Sequence, residues 1–263
     1  MLRKKLIQAI QFYHTRIMPK IFHLRGANFI ARNLEASAYS IAPEYNTTIN
    51  GHRFSISEDI PEDVVKSIIS GNYEREEYYL VEKYLSPTED CIELGAGLGY
   101  ISTLIDSKLK NTQHVVLEPN PELIPILKKN QSLNSCNFSI LEGAYSSSQS
   151  RVDLELGENF LSSSAYYQKK RDSIEASAYS LESIIGNYNI KEFSLVVDIE
   201  GMEYELINNE ISLLKDKCRS IIIEFHEMET EDYDNGLNVL EESGFILEEK
   251  LGAVHVFSND LSG

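Results

Sequence analysis

The segment "LVVDIEGMEYELI" (195–207) sets four carboxylates, Asp198, Glu200, Glu203 and Glu205, directly behind a run of strand-forming residues. Carboxylates at a buried strand end are costly unless something pairs with them or uses them. The stretch is therefore a candidate for moving a proton or holding a positive group. A second pair of titratable residues, Glu224 and His226 in "IIIEFH", follows another apolar run. Asp198 and His226 are the candidates for accepting a proton in catalysis, with Glu200 and Glu224 orienting them or a substrate. His226 also has a plainer reading, as a satisfied histidine at a strand exit. Glu203 and Glu205 fall after Gly201 on a new helix, where first-turn acids complement the dipole, and both are read as structural. A metal variant stays open: Asp198, Glu200, Glu224 and His226 at neighbouring strand ends could hold Mg²⁺ or Mn²⁺, with Asp198, Glu224 and His226 as the core ligand set. No close-spaced metal motif accompanies it.

The other chemical signal is "CIELGAGLGYIS" (91–102), a strand, a glycine-rich turn and a helix start. Gly95, Gly97 and Gly99 alternate, and Tyr100 stands where a dinucleotide fingerprint requires glycine. Glu93 is expected inside the turn, where an acid is unwelcome beside a pyrophosphate. It suits a cofactor carrying an ammonium and a sulfonium, which describes S-adenosylmethionine. The expected cofactor contacts run through Glu93, Gly95, Ala96, Gly97, Gly99 and Tyr100. Glu118, 19 residues beyond Gly99 at the end of the next strand, can accept hydrogen bonds from both ribose hydroxyls, with Pro119 beside it. The third strand ends in Glu142, Gly143 and Ala144, expected near the adenine, and Asp198 is expected to face the sulfonium as well.

Several elements must position these groups. From residue 90 the chain alternates short apolar strands (Cys91–Leu94, His114–Glu118, Phe138–Glu142, Leu195–Asp198, Ile221–Phe225) with helical stretches such as "ISTLIDSKLK" and "PELIPILKKNQSL". That pattern means βαβ units and a mostly parallel sheet, with ligands beyond the carboxyl ends of the strands. "GFILEEKLGAVHVFS" reads as a closing antiparallel pair, and residues 146–180, rich in Ser and Tyr, as a long insertion with one candidate strand, "RVDLEL". Upstream, "TTINGHRFSIS" carries the Asn-Gly signal of a hairpin, and "PEDVVKSIIS" and "YEREEYYLVEKYL" read as helices. Leu2, Leu6, Ile10, Tyr13, Ile17 and Ile21 line one face of an N-terminal helix interrupted near Pro19. The expected division is an extension over 1–60 and an α/β domain over 61–263.

Composition narrows the partners. Residues 1–34 hold seven basic residues and no acid, leaving 17 basic against 41 acidic residues in the remainder, a net charge of −24. So acidic a body repels phosphate, and nucleic acid is not expected as a substrate. The basic N-terminal helix is read as packing on its own domain or on a second subunit. Peripheral contact of residues 1–24 with an anionic membrane is the alternative. Three scattered cysteines with no CxxC point to a reducing, cytoplasmic setting and away from a structural zinc site.

"VVDIEGMEYELI" resembles the signature of the FkbM family of methyltransferases, whose fourth strand carries D-x-E-G-x-E. "YERE", "ELGAGLGYIS", "LEPNP", the serine cluster near 162, "YSLESII" and "IIIEFH" extend the resemblance over residues 70–226 in the family's order. Two departures are Glu93, where Asp is more usual, and the Ala96 and Leu98 that flank Gly97. The resemblance implies a Rossmann-like class I methyltransferase fold, a mostly parallel seven-stranded sheet with helices on both faces. It also implies S-adenosylmethionine-dependent O-methylation, often of a sugar hydroxyl in a glycan or glycosylated metabolite. An NAD-linked oxidoreductase and a non-catalytic module that retains the fold are the rival readings.

Overall fold

The computed structural model of the protein describes residues 45–57, 60–156, 163–164, 173–226 and 230–261. The N-terminal helix expected over residues 1–24 lies outside them. The chain divides into two compact units, one running to Arg75 and taking in Ser132–Asn134, the other made of Glu76–Gln131 and Ser135–Gly263.

In the first unit, strands β1 (Tyr45–Ile49) and β2 (His52–Ile56) pair antiparallel about Asn50 and Gly51, both at positive φ (49° and 89°). That is the backbone a two-residue hairpin needs to match strand twist, and Asn-Gly supplies it at little cost. Helix α1 (Glu62–Ser70) follows Pro61 and ends at Gly71, whose left-handed conformation (φ 72°) turns its N–H onto the Ile68 carbonyl. Ile49, Phe54 and Ile56 of the hairpin and Val65, Ile68 and Ile69 of the helix are buried.

The second unit takes in α2 (Arg75–Tyr84) from Glu76 onward and is built on seven strands: β3 (Asp90–Leu94), β4 (His114–Glu118), β5 (Ser139–Glu142), β10 (Phe193–Val197), β11 (Cys218–Glu224), β12 (Ile246–Leu251) and β13 (Val254–Ser258). Their spatial order is β12-β13-β11-β10-β3-β4-β5. β5, β4, β3, β10 and β11 run parallel, while β13 pairs antiparallel with both β11 and β12. This is the seven-stranded, mostly parallel sheet expected from the sequence. β4 and β10 are buried along their whole length, which is why they read as continuous apolar runs. Helices α3 (Tyr100–Lys108), α4 (Ile124–Asn134), α5 (Leu181–Tyr188), α6 (Glu203–Lys217) and α7 (Thr230–Glu242) connect the strands. One core gathers Ile92, Leu94, Leu195, Val197, Ile221 and Ile223; a smaller one holds Val116, Leu127 and Phe138.

The chain builds outward from β3 to β4 and β5, then crosses back to lay β10 on the other side of β3. The order of strands thus reverses between β3 and β10, the place where open α/β sheets bind ligands.

The stretch read as a long polar insertion forms a sheet of its own. β6 (Ala144–Tyr145), β7 (Arg151–Leu156), β8 (Ser163–Ser164) and β9 (Ser173–Tyr179) lie in the order β6-β9-β7-β8. β9 is the "EASAYS" segment, whose serines resemble loop chemistry. Its register against β7 (Val152 opposite Ala176, Asp153 opposite Glu175) makes it a strand. Among the described residues no helix is long and apolar enough to cross a membrane.

Candidate active site

The turn after β3 places Gly95, Gly97 and Gly99 at φ of 90°, 51° and 81°, in the left-handed region where side chains are strained. Four of its amides are turned inward. Gly95 and Ala96 donate to the Leu117 carbonyl (2.9 and 3.1 Å), Gly97 to Glu118 Oε2 (2.7 Å) and Gly99 to the Ala96 carbonyl (2.8 Å). A pyrophosphate at this turn would need those N–H donors; an ammonium or a sulfonium does not. The donor set therefore fits a cationic cofactor of the S-adenosylmethionine type.

Glu118 ends β4 and is almost wholly buried. Its second oxygen accepts the Asn120 N–H at 2.7 Å. Burial pushes its carboxyl up to about 7, against the two amide bonds that favour the charged form. Each oxygen retains a lone pair for a hydroxyl donor.

Asp198 follows β10, and its N–H donates to the Leu94 carbonyl (2.8 Å), carrying the β3–β10 ladder one residue past the strand. There Gly95 passes the Asp198 carbonyl so closely that an added Cβ would lie 1.7 Å from the oxygen. Glu200 has φ of 51° and Gly201 of 99°, a sharp turn that leads into α6. Glu203, in the first turn of that helix, is fully buried. It accepts the Gly201 N–H at 3.0 Å and stands 2.8 Å from His226 Nδ1. The far side of the ring, Nε2, is 3.4 Å from Asp198 Oδ1 and 3.6 Å from Glu200 Oε2. Asp198 Oδ1 is buried without a hydrogen-bond partner. One oxygen each of Asp198 and Glu224 and a ring nitrogen of His226 all lie within 4.8 Å of one another.

Residues 93–247 match the family model of the methyltransferase FkbM domain. The chain belongs to this family. No curated protein matches it. Solved structures similar to it include a precorrin-6y C5,15-methyltransferase from Geobacter metallireducens GS-15 (13% identity, 72% of this chain and 89% of that one, TM-score 0.44). Another is the M. jannaschii TYW2 in complex with AdoMet (12% identity, 83% and 87%, TM-score 0.43). A third is the Pyrococcus abyssi tRNA (uracil-54, C5)-methyltransferase in complex with S-adenosyl-L-homocysteine (10% identity, 82% and 44%, TM-score 0.45).

The titration of the FkbM acid cluster follows from its packing. Desolvation raises Asp198, with the His226 charge opposing and Glu224, Glu200 and Glu203 adding to the rise. Glu200 and Glu224 move upward for the same first cause. Desolvation pulls His226 down, but the Glu203 bond and the charges of Asp198, Glu203 and Glu200 outweigh it and the net shift is upward. The cluster thus retains protons to higher pH than its members would alone.

The remaining residues expected at the cofactor each have a place in this FkbM domain. Glu93 is not in the turn but on β3, buried, where it accepts the Ser102 hydroxyl (2.9 Å) and faces His114 Nε2 (3.0 Å). Strand alternation gives Glu93 the face opposite Ile92 and Leu94, so its charge ties α3 and β4 to β3. Ala96 packs in the smaller core, and Tyr100 is buried with its ring centroid 5.5 Å from that of Tyr78. Pro119 sits half-buried in the turn after β4, and Ala144 is buried in β6. Glu142 is exposed and paired with Lys128. Gly143 is required by packing, because a Cβ there would meet the Ser177 carbonyl at 2.4 Å.

Glu203, read from the sequence as a helix-dipole acid, is the residue that holds His226. The third acid of D-x-E-G-x-E is the signal that marks it. Glu205 lies elsewhere, accepting from Ser147 Oγ at 3.1 Å.

Proposed function

We propose that this FkbM-family protein methylates a hydroxyl oxygen on a sugar of a glycan or glycosylated metabolite, with S-adenosylmethionine as donor. The observation that carries the reading is the placement of Asp198, whose side chain faces His226, in backbone contact with Gly95 of the glycine loop. A proton acceptor and the methyl donor's site thereby share one strand edge. When bound, the cofactor supplies an electrophilic methyl group on a sulfonium.

The chain's own residues do the rest. Glu118 accepts from the ribose hydroxyls, and the turn of Gly95, Gly97 and Gly99 seats the cofactor's cationic end. Asp198 accepts the acceptor's hydroxyl proton as the methyl–oxygen bond forms, and His226, fixed by Glu203, orients Asp198. Glu200 and Glu224 accept hydrogen bonds from neighbouring hydroxyls, so a polyhydroxylated ring suits this rim better than an anionic substrate. Holding the acceptor oxygen in line with the sulfonium carbon provides most of the acceleration. Cys91, Cys136 and Cys218 are all free, which suits the reducing, cytoplasmic setting we assign to the reaction.

The test is to incubate the purified protein with S-adenosylmethionine and a panel of free and glycosidically linked sugars. S-Adenosylhomocysteine release and the NMR spectrum of the product are read together. A new methyl ether supports the reading. A methyl on carbon or nitrogen, or binding of NAD⁺ in place of S-adenosylhomocysteine, overturns it.

A further inference from the structure

His226 is held by one nitrogen and offers the other. The Glu203 carboxylate accepts at Nδ1 (2.8 Å), so Nδ1 carries the hydrogen and the neutral ring presents its lone pair at Nε2. In the neutral ring that lone pair faces Asp198 Oδ1 at 3.4 Å, two acceptors meeting with no donor between them. Asp198 Oδ1 is buried and unpartnered, and one oxygen each of Asp198 and Glu224 and a ring nitrogen of His226 lie within 4.8 Å of one another. Such a convergence is stable only around positive charge, and a proton on Nε2 satisfies one oxygen at a time.

A divalent cation would satisfy all of them together. Two neighbouring ligand atoms about 2.1 Å from one ion sit roughly 3 Å apart, close to the 3.4 Å between Asp198 Oδ1 and His226 Nε2. A histidine that ligates metal through one nitrogen and donates its other N–H to a buried carboxylate is the arrangement in which the outer partner sets tautomer and ring orientation. Glu203 stands in that position.

We propose that Asp198, Glu224 and His226 Nε2 bind one hard divalent cation, Mg²⁺ or Mn²⁺, with Glu203 as the outer carboxylate that fixes the imidazole. The use of the ion rests on the methyl-transfer reading. There it would bind the acceptor's hydroxyl oxygen and make that proton more acidic, leaving Asp198 Oδ2 to receive it.

Mn²⁺ is titrated into the full-length protein and followed by loss of the free-ion EPR signal. Binding of S-adenosylhomocysteine is measured calorimetrically on the same preparations of wild type, His226→Ala and Glu203→Gln. The expected result is one Mn²⁺ per chain, lost in His226→Ala and roughly 10–100-fold weaker in Glu203→Gln, with S-adenosylhomocysteine bound by all three. Wild type that binds S-adenosylhomocysteine but leaves millimolar Mn²⁺ free overturns the site. So does Mn²⁺ binding that is unchanged in His226→Ala, which would reflect scattered surface carboxylates. Mn²⁺ binding without S-adenosylhomocysteine binding removes the methyltransferase reading and leaves the cation site standing.

Discussion

Gly95 and Asp198 meet backbone to backbone: a Cβ on Gly95 would lie 1.7 Å from the Asp198 carbonyl oxygen and 2.7 Å from its carbon. Neither partner is a flexible side chain, so the sheet edge itself would have to open. Gly95 also has φ of 90°, which alone costs an alanine about 1–2 kcal/mol. Gly95→Ala is expected to lower stability by more than that and to abolish S-adenosylhomocysteine binding. Gly186, exposed in α5 with nothing within 4 Å of an added Cβ, is the control. Gly186→Ala should stabilise by about 0.5–1 kcal/mol through helix propensity. Denaturant melts of the two variants, with binding measured on each, check the contrast.

Glu118 predicts a pH effect on the cofactor. Its carboxyl titrates near 7 in the free protein. The folding contribution of this raised group is fully present below its unfolded value and is lost as pH rises through about 7. Ribose hydroxyls donate to the ionised form and pull the titration back down. Affinity for S-adenosylhomocysteine should therefore fall below pH 7, approaching tenfold per pH unit. Binding at pH 7 should release about half a proton per site, seen by calorimetry in buffers of different ionisation enthalpy. Glu118→Gln should bind more weakly and release none.

The Glu93–His114 pair predicts a stability defect without a cofactor defect. Both side chains are buried and 3.0 Å apart. His114→Ala strands a buried carboxylate, at a cost of about 3–5 kcal/mol. S-Adenosylhomocysteine affinity of the folded fraction should stay within about twofold, since the pair lies behind the strand and not in the turn. A large affinity loss at unchanged stability would return Glu93 to the cofactor.

Asp198→Asn keeps the backbone bond to Leu94 and removes the proton acceptor. Methyl transfer should fall by roughly 10²–10⁴-fold while S-adenosylhomocysteine still binds. Single-turnover kinetics with saturating acceptor separates the two.

What the sequence discloses and what it hides divide along physical lines. His114–Glu118 reads directly as a strand because a parallel strand buried on both faces has no polar alternation to confuse it. Asn50-Gly51 fixes its hairpin by backbone chemistry alone, and Asp198 and His226 are visible because charge after an apolar run is costly. Hidden are the pairings made only by the fold. Glu203 finds His226 23 residues along the chain, and Glu93 finds His114 across two strands. The packing need at Gly143 emerges only when Ser177 is laid against it. The β9 strand is missed for a related reason: Ser and Ala become strand residues only when β7 supplies their partners.

The turn at Glu200 has a consequence for anyone who would improve this molecule. Its φ of 51° is backbone that glycine adopts freely and that costs a glutamate about 1 kcal/mol. A search for heat-resistant variants would therefore tend to find glycine at position 200 early, and would register a gain. The same change would erase a carboxylate 3.6 Å from His226. Selection for toughness and selection for chemistry pull this one residue in opposite directions, and the glutamate marks which of them has prevailed.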